Sequence, residues 1–221
     1  MIKACVFDLD GTLLDTIESI RYFVNLTIQK YGIEQISTEE CKLFVGDGAK
    51  NLIKRTLSSR KISDAELEEK ILSEYNAAYL ADPFYLTEAY KGIYELIDGL
   101  RARGIKIAVV SNKPDFVTRP IVKHFFGENI DLCFGKRDGV PLKPSPDSTL
   151  EAIRTLGAES MESAFIGDTG VDVQTGRAAG FALVIGVRWG FRKENELLES
   201  GADVVVSSPL DILTEVMKLD S

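Results

Sequence analysis

Six short apolar runs recur along this chain of 221 residues, and amphipathic segments separate most of them. The amphipathic segments carry apolar residues at helical spacing, whereas the short runs have the length and composition of buried strands. Alternation of strands and helices is typical of a parallel sheet with helices on both faces, so we predict an α/β fold. The predicted strands are residues 3–7, 106–110, 132–134, 164–166, 182–187 and 203–206.

Glycines mark the ends of four predicted helices. Gly104, Gly157, Gly180 and Gly201 each stand between an amphipathic segment and the next apolar run. Because glycine readily adopts the left-handed conformation that ends many helices, these positions support the predicted boundaries. The expected architecture is therefore a Rossmann-like parallel sheet core. Its predicted helices are residues 93–103, 116–124, 148–156, 172–179, 194–200 and 210–219.

One long segment near the N-terminus interrupts this alternation, because it contains no strand-like run. Its apolar and aromatic residues recur at helical spacing, as Tyr75 and Tyr79 do. We therefore predict an all-helical domain inserted after the first strand, with residues 82–90 as the return linker. The two predicted domains are an α/β core, residues 1–15 and 87–221, and a helical insert, residues 16–86.

The charge balance excludes several classes of site and partner. The chain has 26 lysines and arginines against 34 aspartates and glutamates, which gives a formal net charge of −8. An acidic surface repels nucleic acid and anionic lipid, so we expect neither a nucleic acid nor a membrane as partner. His124 is the only histidine and follows an apolar, helix-like run. Metal sites built from several histidines are therefore excluded, and a histidine-based triad is not expected.

Cys5, Cys41 and Cys133 lie far apart in the sequence and among apolar residues. An odd number of cysteines without a CxxC pair favours buried thiols in a reducing compartment over disulfides or a zinc site. No apolar stretch approaches the ~20 residues of a membrane span, and the N-terminus lacks the apolar region of a signal peptide. We therefore expect a cytoplasmic protein, either a monomer or a homodimer.

Two carboxylates follow the first predicted strand. Asp8 and Asp10 are two residues apart on extended chain, so their side chains point the same way, and Gly11 allows the chain to turn. Carboxylates that share a crevice repel each other unless a cation lies between them, and their hard oxygen ligands suit Mg²⁺. The alternative is structural, with a tight turn at Asp10 and Gly11 and a helix cap at Asp8.

The sequence DLDGTL at residues 8–13 resembles the nucleophile motif of the haloacid dehalogenase superfamily. Three further motifs of that superfamily follow in order: Ser111 at the end of the second strand, Lys143 in a proline-containing loop, and the acidic pair Asp168 and Asp172. Taken singly, Ser111 and Asp168 could be helix caps and Lys143 a surface charge. Together the four motifs fall at strand ends, where open α/β sheets bind ligands.

The resemblance implies a Mg²⁺-dependent phosphatase, since most members of the superfamily are. Asp8 would be the nucleophile that forms an aspartyl-phosphate intermediate, and Asp10 would protonate the leaving alcohol and later activate water. Mg²⁺ would be held by Asp8, the backbone carbonyl of Asp10, Asp168 and, through water, Asp172. Dehalogenases of the superfamily lack the second carboxylate, so Asp10 favours phosphate-ester chemistry.

The resemblance also implies which groups neutralise the substrate. Ser111, the Asn112 backbone and Lys143 would bind the phosphoryl oxygens, whose charge must be offset during phosphoryl transfer. Lys143 would in addition pair with Asp8. Lys113 is a further candidate contact, although we expect its side chain to be exposed.

The helical insert resembles the cap that closes over the active site in this superfamily. Within it, the sequence GDGAK at residues 46–50 resembles the substrate loop of that cap. Lys50 is therefore a candidate ligand for a second negative group on a small substrate. Lys54 and Arg55 lie close by in the sequence, and all three cations could equally form an ordinary solvated helix face.

The sequences SNKP at 111–114 and GVRWGF at 186–191 are similar to the phosphoglycolate phosphatase branch of the superfamily. This similarity implies a small phosphorylated metabolite as substrate, with phosphoglycolate as the first choice. We expect the Trp189 side chain to have a packing role in the core. Two alternatives stay open. A sugar phosphomutase of the β-phosphoglucomutase type shares the core motifs. A receiver-like signalling module also arranges aspartates, a hydroxyl and a lysine around Mg²⁺, but in a shorter chain with the phosphorylated aspartate on a middle strand.

Overall fold

A parallel sheet forms the centre of the computed structural model, which describes residues 1–219. In that part of the chain six strands pair in parallel, and all six coincide with the predicted runs. The predicted α/β fold is therefore confirmed. The strands of the described residues are β1 (Ala4–Phe7), β2 (Leu14–Asp15), β3 (Glu88–Ala89), β4 (Lys106–Pro114), β5 (Leu132–Lys136), β6 (Ser163–Gly167), β7 (Leu183–Val187) and β8 (Val204–Val206). The six parallel strands form the sheet in the order β5-β4-β1-β6-β7-β8, and the two short strands β2 and β3 pair with each other outside it.

Helices cover both faces of this sheet. The helices are α1 (Ile17–Ile28), α2 (Thr38–Phe44), α3 (Ala49–Ser59), α4 (Ala65–Ala81), α5 (Ile93–Arg101), α6 (Asp115–Phe126), α7 (Asp147–Leu156), α8 (Gly170–Ala178), α9 (Glu194–Glu199) and α10 (Pro209–Lys218). Side chains alternate along β1: Cys5 and Phe7 belong to the apolar cluster of α5 and α10, while Ala4 and Val6 belong to that of α7 and α8. Burial on both faces explains why the strands are continuously apolar.

The four glycines predicted to end helices all have the left-handed conformation. Their φ angles are 73° at Gly104, 75° at Gly157, 69° at Gly180 and 103° at Gly201. Each lies just beyond a helix and before the next strand of the sheet. A side chain at these positions would meet the steric penalty that glycine avoids, so the sequence reading of the helix ends was correct.

The secondary structure of residues 17–81 is helical, as the spacing of their apolar residues predicts, with loops between the helices. The helices are α1 to α4, and none of these residues, all of which the structure describes, belongs to a strand. Helices α1 and α4 pack through Phe23 and Tyr79, whose ring centroids lie 4.9 Å apart. Ser37 and Glu40 form a capping box that begins α2.

The short strand β2 lies where the chain leaves the sheet for the helical segment, and β3 lies where the chain returns to the sheet. They pair antiparallel, with Leu14 opposite Ala89 and Asp15 opposite Glu88. The sequence predicts a linker over residues 82–90 and gives no sign of β3, because a two-residue strand has no alternating pattern. The two connections between the helical segment and the sheet are thus hydrogen-bonded to each other.

The thiols of Cys5, Cys41 and Cys133 are unpaired, and burial raises the pKa of each to about 12. The ring of His124 stacks on Phe84, with centroids 4.0 Å apart. Over residues 1–219, no helix has both the length and the apolar character that crossing a bilayer requires.

Candidate active site

The carboxyl ends of β1, β4 and β6 bring the predicted motifs together. Asp8 directly follows β1, and its backbone N–H donates to the Ile166 carbonyl of β6 (2.9 Å). Ser111 and Asn112 lie in the last part of β4, and Asp168 directly follows β6. The side chains of all four polar residues are buried. The parallel register therefore unites motifs that are distant in the sequence.

Gly11 provides the close turn that this cluster needs. Its φ is 87°, and its N–H donates to the Leu14 carbonyl at 2.8 Å. A Cβ atom at this position would lie 2.7 Å from Asp168 Cγ, which is closer than real Cβ contacts allow. Any side chain here would displace Asp168, so the turn requires glycine for both its conformation and the space.

Lys143 lies at the centre of the acidic residues, in the loop between β5 and α7. Its Nζ is 2.7 Å from Asp8 Oδ1 and 2.7 Å from Asp172 Oδ1, and its side chain is 3% exposed. The pairing with Asp8 that the resemblance implies is thus present. Burial by itself would lower the pKa of this ammonium, but the charges of Asp172 and Asp8 outweigh burial and raise it. Lys143 is therefore a permanent cation beside Asp8.

The Asn112 side chain holds the Lys143 loop on β4. Asn112 Oδ1 accepts from the Lys143 N–H at 2.8 Å, and Asn112 Nδ2 donates to the Lys143 carbonyl at 3.1 Å. The same Nδ2 lies 3.2 Å from the Gly46 carbonyl in the helical segment. The motif resemblance implies a role for the backbone of Asn112 alone, so this positioning role of the side-chain amide is a finding of the structure.

Three buried carboxylates gather beside Lys143. Oxygen atoms of Asp8, Asp168 and Asp172 lie within 4.8 Å of one another. Asp168 is oriented from two sides, since Oδ1 accepts from Thr12 Oγ1 (3.0 Å) and Oδ2 accepts from the Phe191 N–H (2.8 Å). Neither donor was predicted, although Thr12 belongs to the DLDGTL sequence.

The electrostatics of this cluster favour a bound cation. Burial raises the pKa of Asp8 to about 7 despite the opposing effect of Lys143, and burial followed by the charges of Asp172 and Asp8 raises the pKa of Asp168 well above its usual value. When all three carboxyls are ionised, they and the Lys143 ammonium carry a net charge of −2, which one divalent cation would neutralise. Buried oxygen ligands of this kind fit Mg²⁺.

Lys113 is buried, which contradicts the expectation of an exposed side chain. Its Nζ lies 3.1 Å from Asp10 Oδ2 and 3.2 Å from Oδ1, and 4.1 Å from the centroid of the Tyr79 ring. Burial alone would lower the pKa of this ammonium, but the charge of Asp10 and the contact with Tyr79 raise it. The prediction was wrong because Lys113 lies near the end of β4, where Asp10 and Tyr79 of α4 enclose it.

Comparison with known proteins identifies the family. Residues 5–186 match the family described as haloacid dehalogenase-like hydrolase. The chain belongs to this family. It is 28% identical to a phosphoglycolate phosphatase of Aquifex aeolicus over 96% of this chain and 95% of that protein. It is 30% identical to a phosphoglycolate phosphatase of Nitrosospira multiformis, over 94% of this chain and 92% of that one.

A solved structure with a phosphoglycolate phosphatase name has the same fold as this chain. A proposed phosphoglycolate phosphatase from Lactobacillus delbrueckii subsp. bulgaricus superposes with a TM-score of 0.92 at 29% identity, covering 97% of this chain and 98% of that one. The resemblance to the superfamily and to its phosphoglycolate phosphatase branch is therefore confirmed, as is the prediction of a phosphatase-type hydrolase.

A cavity of this hydrolase lies between the ends of the strands and the helical segment. The two aspartates after β1 line one side, and apolar and aromatic residues of α1, α3, α4 and α6 line much of the rest. Among the residues that the structure describes, Lys113 is the one cation in the lining. The lining residues are Asp8, Asp10, Ile20, Val45, Gly46, Gly48, Ala49, Leu52, Tyr75, Asn76, Tyr79, Ser111, Asn112, Lys113, Pro114, Val117, Thr169 and Phe191.

The cations of α3 do not line the cavity of this haloacid dehalogenase-like hydrolase. Lys50, expected as a substrate ligand, is 59% exposed and pairs with Glu69 of α4. Lys54 is exposed, and Arg55 donates to the Phe44 carbonyl at 2.9 Å. Lys50 is the second residue of α3, and the helix directs its side chain towards α4 rather than the strand ends.

Trp189 packs against the core as expected, and its Nε1 donates to the Thr12 carbonyl (3.0 Å).

Proposed function

We propose that this hydrolase is a Mg²⁺-dependent phosphatase that cleaves small phosphomonoesters through an aspartyl-phosphate on Asp8. One observation carries the proposal: the buried Asp8 carboxylate contacts Lys143 at 2.7 Å and borders two further buried carboxylates. A carboxylate held in this way beside a cation can act as a nucleophile on phosphorus. In this proposal residues 1–15 and 87–221 form the catalytic core, and residues 16–86 form its cap.

The first proposed step transfers the phosphoryl group to the enzyme. A carboxylate oxygen of Asp8 attacks phosphorus, and the bond between phosphorus and the ester oxygen breaks. Asp10 donates a proton to that oxygen, so the leaving group departs as a neutral alcohol. Lys143 keeps Asp8 oriented, and Lys113, within 3.2 Å of both Asp10 oxygens, holds the acid–base group in place.

The second proposed step releases phosphate. A water molecule attacks phosphorus of the aspartyl-phosphate, and Asp10 accepts a proton from that water. The bond between phosphorus and the Asp8 oxygen breaks, which regenerates the Asp8 carboxylate and frees inorganic phosphate. One residue thus serves as acid in the first step and as base in the second.

The phosphoryl oxygens need donors that are aligned before the reaction. Ser111 Oγ, the Asn112 backbone N–H and Lys143 are the proposed donors, and all three residues are buried at the end of β4 or beside it. Asn112 also fixes the Lys143 loop through its side chain. Donors that are held in a fixed geometry stabilise developing charge without reorganisation in the transition state.

Asp8, Asp168, Asp172 and the backbone carbonyl of Asp10 are the proposed ligands of Mg²⁺. When bound, the ion would offset the repulsion between the Asp8 carboxylate and a dianionic substrate. The contacts of Asp168 with Thr12 and with the backbone N–H of Phe191 would orient it for this role.

We propose phosphoglycolate as the substrate. The names of the Aquifex aeolicus and Nitrosospira multiformis relatives support this choice, and so does a cavity whose apolar walls leave room for a short leaving group. A small phosphorylated metabolite is the expected partner in any case.

The test is phosphate release by purified protein from a panel of phosphoglycolate, sugar phosphates, nucleotides, pyrophosphate and p-nitrophenyl phosphate, with Mg²⁺ and with EDTA. We expect Mg²⁺-dependent release, and we expect Asp8→Asn to abolish it while circular dichroism is unchanged. Folded protein that releases no phosphate from any of these compounds would refute the proposal. An isomerised sugar phosphate in place of free phosphate would identify a mutase instead.

A further inference from the structure

We infer that Lys113 binds a carboxylate on the carbon next to the leaving oxygen, so that the site selects 2-phosphoryloxy carboxylates. Phosphoglycolate is the smallest compound of this class. The inference rests on the proposed function, because it takes Asp10 as the group that reaches the leaving oxygen. Recognition of the second negative group would then lie on strand β4 of the sheet, and not on Lys50 of the helical segment as the motif resemblance suggests.

Lys113 lies next to Asp10, the proposed acid–base group. Lys113 Nζ lies 3.1 Å from Asp10 Oδ2, and both side chains line the cavity. A general acid must come within hydrogen-bonding distance of the ester oxygen that it protonates. In a 2-phosphoryloxy carboxylate, two bonds separate that oxygen from the carboxyl carbon, a distance of about 2.4 Å. A substrate aligned on Asp10 therefore brings its carboxylate to Lys113.

The Lys113 ammonium is prepared to bind an anion. It has three N–H donors, and Asp10 is the one carboxylate among residues 1–219 that contacts it. Its other contact is the face of Tyr79, whose hydroxyl is fixed by Ser19 Oγ at 3.3 Å. Because Asp10 and Tyr79 already hold the side chain, binding a second carboxylate costs little conformational entropy.

The other cations near the cavity are engaged elsewhere. Lys50 pairs with Glu69, and Arg55 donates to the Phe44 carbonyl and contacts Asp47. Arg192 donates to the backbone carbonyls of Lys42 and Val45 and lies 3.3 Å from Glu196. An anion taken into a buried cavity needs a cation, and Lys113 is the one cation of the described lining. When Asp10 carries the proton that it donates in the first proposed step, the charge of Lys113 is free to pair with the carboxylate of the substrate.

The walls around Lys113 limit the rest of the leaving group. Ile20, Leu52, Tyr75 and Val117 present mostly apolar surface. Apart from the two tyrosine hydroxyls, Asn76 has the one polar side chain that the described helices contribute to the lining. The hydroxyls of a sugar would lose hydration there and find few partners. A short leaving group with one carboxylate fits this environment because its single charge is met by Lys113.

The test compares 2-phosphoglycolate with 2-phosphoryloxyacetamide, in which a neutral amide of similar size replaces the carboxylate. For wild-type enzyme we expect kcat/KM to be at least about tenfold higher for the carboxylate, as for a hydrogen bond to a charged group. Lys113→Met should reduce this ratio to near one. Lys113→Arg should retain much of it, and Lys54→Met, which removes an exposed cation outside the cavity, should leave it unchanged.

The ratio separates recognition from positioning. Lys113→Met also removes the partner of Asp10, but that loss lowers kcat for both substrates equally and cancels in the ratio. A wild-type enzyme that shows no preference for the carboxylate overturns the inference without any variant. A preference that survives in Lys113→Met overturns it as well. Absence of turnover with every phosphoester, in contrast, would refute the proposed function itself.

Discussion

Replacing Lys143 by methionine in metal-free protein should lower the free energy of unfolding by about 3–5 kcal/mol at pH 8, the usual cost of removing one partner from a buried ion pair. Lys143 Nζ lies 2.7 Å from carboxylate oxygens of both Asp8 and Asp172, with its side chain 3% exposed. Methionine keeps an unbranched, mostly apolar side chain but leaves those two carboxylates without their cation. Solvent cannot replace it, because the site is buried.

The loss should shrink as the pH falls. Burial raises the Asp8 pKa from 3.8 to about 7 even with Lys143 present. A shift of this size means that the folded protein favours the protonated Asp8 carboxyl over the carboxylate by about 4 kcal/mol more than the unfolded chain does. A carboxyl group with a raised folded-state pKa makes folding less favourable as the pH rises from its unfolded value to its folded value. At pH 5 most Asp8 is protonated in the folded protein, so the loss of Lys143 costs less.

Urea denaturation followed by circular dichroism, with EDTA at pH 8 and pH 5, measures both effects. Lys50→Met is the matched control, since it makes the same replacement in an exposed ion pair with Glu69, and it should change neither midpoint measurably. Equal losses for the two variants, or a Lys143→Met loss that is the same at both pH values, would show that the proposed burial of charge does not govern stability here.

Three further predictions concern the metal site and the helical segment. Mg²⁺ should raise the melting temperature of the wild-type protein more at pH 8 than at pH 5.5, because protons compete with the ion for Asp8 and Asp168; equal shifts in a thermal scan would contradict this. Gly11→Ala should weaken Mg²⁺ binding at least tenfold by calorimetry, since its Cβ would displace Asp168. Glu40→Gln should cost about 1 kcal/mol of stability near neutral pH by weakening the α2 cap and the contact with Arg60. That contribution is present above pH 4.5 and disappears towards pH 2, because the bond with Arg60 and the cap lower the Glu40 pKa to about 2; a pH-independent difference in urea midpoints would refute it.

The elements that could be predicted from the sequence are those with strong local signals. The strand at β1 is a continuous apolar run, and Gly157 ends α7 because few other residues adopt its φ of 75°. Asp8 and Asp10 stand out in the sequence because two carboxylates at a strand end require a compensating cation. Local physical chemistry is sufficient for such features, since neighbours along the chain determine them.

Other features lacked any local signal. The strand β3 has two residues, and its pairing with β2 depends on a segment more than seventy residues earlier in the chain. Lys50 and Lys113 look alike in sequence, since each follows a loop-like run of small and polar residues. The structure separates them, because α3 directs Lys50 to Glu69 while Asp10 and Tyr79 enclose Lys113.

The order of strands, glycines and carboxylates along this chain is sufficient to specify a parallel sheet with acidic residues at the carboxyl ends of its strands. Side-chain period and backbone conformation are properties of adjacent residues, so they can be read without the fold. Which cation faces the cavity depends instead on the packing of α4 against the end of β4, where Tyr79 meets Lys113. Burial and long-range pairing are set by contacts between distant parts of the chain, and these exist once the chain has folded.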